Sequence, residues 1–277
     1  MRWRNLFSRY GFVWAFMCAS GAFAQLPQDK AFRLQKATAS TSCESLTTCI
    51  VTKNKKVEVA RTTIQPFCPV EYLNAVCDEL PQMNKRVVQT ILGYPRNGQH
   101  SYWWPRKGES NYDGCTTDIL YRGQLVMKGE PKGRTYCCGL TLEVLYRVLE
   151  SEAQTPPLWE EVGPTSMRSL WFCRAINAPG PDEAMTSLGI GRRIENPDEA
   201  LPGDFVQIWR TNKSGHSVIF ISWAFDEAGK RVGMHYWSTQ EATGIGFASE
   251  VFGDFPGAMS AKDTVISRLL PPTEWKK

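Results

Sequence analysis

Between Cys137 and Glu150 the chain carries Leu140, Leu142, Val144, Leu145, Val148 and Leu149 with no proline among them. So wide a spread of apolar residues predicts a helix buried on most of its sides, and such a helix needs other layers packed around it. Those layers follow in sequence. From residue 204 the texture changes to alternation, with Phe205, Gln207 and Trp209, then Val218 and Phe220, then residues 233–238. This predicts antiparallel strands with a turn at 226–229. Two further helices are expected over 166–178 and 182–188, the second with Pro181 near its start. A hairpin over 120–128 would turn at Arg122 and Gly123. Helices first and strands afterwards give an α+β domain.

The N-terminus reads differently. Arg2, Arg4 and Arg9 precede an apolar stretch over 10–19, and Ala22-Phe23-Ala24 supplies the small residues that a signal peptidase reads. The apolar stretch is too short to span a hydrocarbon core of about 30 Å. The expectation is therefore a signal peptide over 1–24, export to the periplasm or the extracellular space, and no stable membrane insertion afterwards. Its removal takes three of 32 basic residues and none of 28 acidic ones, so the net charge falls from +4 to 29 − 28 = +1. A nearly neutral chain argues against nucleic acid as a partner. The densest basic run, over 53–56, fits a solvated loop.

Eight cysteines follow the signal: Cys43, Cys49, Cys68, Cys77, Cys115, Cys137, Cys138 and Cys173. In an exported protein the first four are close enough in sequence to form two disulfides, with the pairing left open. The Cys-x-x-Cys spacing of a zinc site is missing, and no metal or cofactor is expected. Residues 25–82 are read as a cysteine-bearing lead-in or pro-region, with a flexible start over 25–40 and a strand over 56–61. Residues 83–277 are read as the catalytic domain.

Cys137 falls at the start of the apolar helix, where unpaired N–H groups and a partial positive charge favour a thiolate. Gly139 allows another backbone to approach the first turn. His216, one of three histidines, follows Ser214-Gly215 and opens the strand of Ser217 and Val218, so it can serve as the base. Hairpin register nominates Ser238 and Gln240 to orient the imidazole, over His235, and Gln240 is preferred because its amide oxygen can accept from an imidazole N–H. The aromatic region before Cys137 could form a binding lip of Trp103, Trp104, Tyr112, Asp113 and Tyr136, or could be packing.

Cys137-Cys138-Gly139-Leu140, Leu201-Pro202-Gly203-Asp204-Phe205-Val206 and Gly215-His216-Ser217-Val218 together resemble the Cys-x-Gly, Pro-Gly-Asp and His-strand motifs of the NlpC/P60 and CHAP superfamily of papain-like amidases. The resemblance covers residues 134–240. It implies a central helix carrying the cysteine, packed on an antiparallel sheet, and a metal-independent cysteine hydrolase with Cys137 as nucleophile, His216 as base and Gln240 or His235 as third member. It also implies cleavage of amide bonds in peptidoglycan stem peptides. Cys138 and Tyr136 depart from the usual pattern, which has serine and aspartate there. The competing expectation is an exported glycan- or peptide-binding module on the same fold, without turnover.

Overall fold

The computed structural model describes residues 63–105, 112–173 and 175–276. The expected signal segment, the lead-in, the strand over 56–61 and both Cys43 and Cys49 lie outside these. Helices α1 (Pro69–Val76) and α2 (Gln82–Leu92) and strands β1 (Ile119–Tyr121) and β2 (Gln124–Met127) precede α3 (Cys137–Glu150). Then come α4 (Trp159–Trp171), α5 (Pro181–Ser187), β3 (Gly191–Arg193), β4 (Phe205–Trp209), β5 (Gly215–Phe225), β6 (Arg231–Gln240), β7 (Gly244–Val251) and β8 (Val265–Leu269). The last six strands form one antiparallel sheet in the order β3-β8-β4-β5-β6-β7. The class is α+β.

Helix α3 is buried around almost its whole circumference, as its composition requires: Leu140, Leu142, Val144, Leu145 and even Thr141 and Glu143 have no exposed surface. Glu143 tolerates this because Thr116 donates to it from both N and Oγ1, and Arg147 donates from Nε at 2.8 Å. One core joins α3 to Phe205, Ile219, Ile221 and Trp237 on one face of the sheet. A second fills the other face with Val206, Ile208, Val218, Phe220 and Tyr236, and is closed by Met259, which bridges both Arg210 and Phe252. With both faces covered, β5 is buried at every position but its two ends. It therefore reads as a nearly continuous apolar run over 218–221 instead of a clean alternation.

The motif Leu201-Pro202-Gly203-Asp204 is the knot between the layers. Gly203 has φ +91°, and a Cβ there would stand 2.7 Å from Asn84 O, so only glycine fits the turn. The fully buried Asp204 accepts two bonds from Arg268 of β8, one from Asn84 of α2 and one from Leu201 N, all at 2.8 Å.

Three expectations change. The helix expected over 166–178 runs from Trp159 to Trp171 with a break at Gly163 (φ 65°) before Pro164, and its end gives way to left-handed residues at Cys173 and Asn177. The boundary expected at 83 has no counterpart in packing, because Phe67, Tyr72 and Leu73 share the core of α3. Cys68 is disulfide-bonded, but Cys77 is a free thiol. The eight-residue helix α1 separates these two cysteines, so they meet different surroundings.

Candidate active site

Tyr136, in extended conformation (φ −136°, ψ 160°), delivers the chain directly into α3 at Cys137. Its hydroxyl does not cap the helix but donates to Tyr112 O at 3.2 Å. The first-turn N–H groups therefore remain available, as they must be if they are to face a developing oxyanion. Gly139 lets this turn press against residues 113–114: an added Cβ would fall 1.9 Å from Asp113 O.

Cys137 and His216 line one cavity of about 320 Å³, together with Cys138, Cys173, Gln207, Ser217 and the aromatic walls of Tyr102, Trp104, Phe172 and Trp209. The helix start is tied to the sheet by a Thr141 Oγ1–Ser217 Oγ bond of 2.8 Å and a Thr135–Thr239 hydroxyl bond of 3.0 Å. The Cys138 thiol beside it, the charge of the His216 imidazole and the Ser217 N–H together hold Cys137 well below the ordinary thiol range, against the burial that would raise it. Cys138 moves the other way, pushed up by its neighbour Cys137 and by burial. Of two adjacent thiols only one can ionise readily, and the one that meets the imidazole and a backbone N–H is Cys137.

His216 acts on the sulfur through its charge first and through a side-chain hydrogen bond second, while its Nε2 is buried without a partner. Such contacts commonly tighten only when substrate is bound. Behind the imidazole, the Tyr236 ring packs edge-on at 5.5 Å between centroids. The Tyr236 hydroxyl donates to Glu250 at 2.7 Å, and Arg210 donates to both oxygens of Glu250, at 2.7 and 2.5 Å. Burial raises the Glu250 carboxyl, but the bonds and charge of Arg210, the charge of His216 and the Tyr236 bond outweigh it and bring it below the usual range. An ionised Glu250 thus lies in the electrostatic reach of His216.

No hydrogen bond joins Gln240, Ser238 or His235 to the imidazole. Ile219 pairs with Trp237 and Phe220 with Tyr236, a register that, continued, points from His216 to Gln240. The pairing stops at Ile219, however, and Ser238 Oγ donates to Ser217 O at 2.8 Å, while Gln240 Nε2 is buried without a partner. His235 lies beyond a bulge, bonded to Ser249 Oγ at 2.6 Å and stacked on Phe67 at 4.1 Å. Glu250 and Arg210 escaped sequence reasoning because they meet His216 only through the curl of the sheet.

Of the five expected lip residues, Trp104 lines the cavity and is 56% exposed. Tyr136 is buried behind it, its ring edge-on to Trp104 at 5.2 Å and to Phe172 at 5.8 Å. Trp103 is covered by the Arg134 guanidinium at 4.7 Å, Tyr112 lies beneath Lys128, and Asp113 is paired with Arg168 at 2.6 Å. These three are outside the cavity wall, where Tyr102, Phe172 and Trp209 stand instead. Comparison with protein-family profiles, curated proteins and solved structures returns no match.

Proposed function

We propose that this protein is an exported, papain-like cysteine hydrolase that cleaves amide bonds in peptidoglycan stem peptides. The observation that carries the reading is Cys137, on the first residue of a buried central helix, sharing one cavity with His216. The cysteine-bearing helix packed against an antiparallel sheet supports the papain-like fold. The Cys137 thiolate attacks the scissile carbonyl, the N–H groups of the first turn of α3 face the oxyanion, and the imidazolium of His216 donates a proton to the leaving amine. Water, deprotonated by the imidazole, then releases the acyl group.

The aromatic cavity walls favour a second reading, a module that holds a glycan or peptide without turnover. The two separate in one assay. Purified muropeptides are incubated with the protein and with its Cys137→Ala variant and analysed by mass. Cleavage products that appear with the first and not with the second establish the hydrolase; binding by both with no product leaves the module.

A further inference from the structure

Cys137, Cys138 and Cys173 are all free thiols, and all three line the cavity beside His216. Cys173 is presented by a segment pinned at both ends. Trp171, the last residue of α4, donates from its indole N–H to Thr141 Oγ1 of α3 at 3.1 Å, and Trp209 of β4 donates to Ala178 O at 3.0 Å. Within that segment Cys173 takes φ 47°, a left-handed conformation that costs a non-glycine residue on the order of 1 kcal/mol. Its thiol is held 3.7 Å from both Trp171 O and Ala178 O. Gly180 makes the room, for a Cβ there would stand 2.5 Å from the Cys173 sulfur. The hydrolytic cycle above uses Cys137 alone and gives this strained, cavity-facing thiol nothing to do.

We propose that Cys173 is a resolving thiol, which forms a disulfide with Cys137 after a hydroperoxide has oxidised Cys137 to a sulfenic acid. The inference rests on the hydrolase reading only for the thiolate at Cys137, not for turnover. In the first step the thiolate sulfur attacks one peroxide oxygen, the O–O bond breaks, and the departing oxygen takes up a proton to leave as water or alcohol. In the second, the Cys173 sulfur attacks the Cys137 sulfur and the S–O bond breaks; the hydroxide leaves with the Cys173 proton as water. Two thiols lose two electrons and the peroxide gains them. An external dithiol reverses the bond and is itself oxidised.

The order of steps follows from the charges. Burial, and then the negative charge of Cys137, push the Cys173 thiol up to about 12, so it waits protonated beside the thiolate. Oxidation of Cys137 to a neutral sulfenic acid removes the second of these effects and leaves Cys173 facing an electrophile. Cys138 is a poor alternative, because a bridge between adjacent residues closes a strained ring.

The full chain is treated with an excess of hydrogen peroxide, alkylated, digested without reduction and mapped by mass. The expected product is a peptide pair linked through Cys137 and Cys173, lighter by two hydrogens than its two halves. In Cys173→Ser, Cys137 should pass on to the sulfinic acid, so that alkylatable Cys137 recovered after dithiol treatment falls about tenfold below that of the wild type. No Cys137–Cys173 link in the wild type, or equal recovery in the two proteins, overturns the inference. The alkylation rate of untreated Cys137 separates this from failure of the hydrolase reading: a slow, unactivated Cys137 sinks both, whereas a fast one without the link sinks the resolving role alone.

Discussion

Arg210 grips Glu250 through both carboxylate oxygens and holds it where its charge meets His216, with Tyr236 filling the space between the carboxylate and the imidazole. The polar group that faces His216, the proposed base, is therefore an acid two strands away and not an amide on the neighbouring strand.

Glu250→Gln keeps the shape and removes the charge. Turnover of muropeptides should fall about tenfold to a hundredfold, the range for lost outer partners of a reacting group. Iodoacetamide should still label Cys137, which would show that the site remains assembled. Tyr236→Phe should give a smaller loss of the same kind, and unchanged turnover in both variants would show that Glu250 does not position the base.

Gln240→Ala should leave turnover within about threefold of the wild type, because no hydrogen bond joins its side chain to the His216 imidazole. A loss comparable to that of Glu250→Gln would restore Gln240 as the orienting residue.

The rate of Cys137 alkylation should already be near its plateau well below pH 9, the ordinary thiol value, and should decline only on further acidification through the lowered value. His216→Ala removes the imidazole charge beside the sulfur and should move the midpoint upward. A wild-type midpoint at or above pH 9 would mean that Cys137 is an inert buried thiol.

His235 is lowered from 6.5 to about 3 by burial, so the folded protein holds it neutral. A lowered value means that the unfolded chain binds the extra proton first. Stability is present above pH 6.5 and is lost as pH falls towards 3, by about 1.4 kcal/mol per pH unit, or on the order of 5 kcal/mol in all. Urea unfolding at stepped pH should show this slope, and His235→Gln should flatten it.

Asp204→Ala leaves the Arg268 guanidinium buried without its carboxylate and should cost about 3–5 kcal/mol of unfolding free energy. Urea titration with an unchanged m-value would measure it directly.

Helix α3, the turn at 226–229 and the meeting of Cys137 with His216 were legible in the sequence because each rests on a local pattern: apolar spread, turn residues, a cysteine at a helix start. Glu250 was not. It lies on β7, where Gly244 and Gly246 interrupt the alternation, and it reaches Arg210 only because residues 252–259 fold the sheet edge back onto β4. Gln240 failed for a related reason, since a hairpin register says which residues would be opposite but not where the strands part. Cys173 was hidden by the end of α4, where the periodicity that suggested continuation to 178 is overruled by two left-handed residues.

Cys137 and His216, the proposed nucleophile and base, are mounted on different packing units. Cys137 belongs to the core between α3 and the sheet, whereas Tyr236, on which His216 rests, belongs to the core on the sheet's other face. Their mutual aim is thus a matter of how two separately filled layers seat against each other, much as two halves of a hinge must be shimmed to meet. A methyl group gained or lost at Val206, Phe220 or Ile266, all in that second layer, would tilt the imidazole relative to a sulfur it never touches, and adjustments of reactivity can arise there without any change to the site itself.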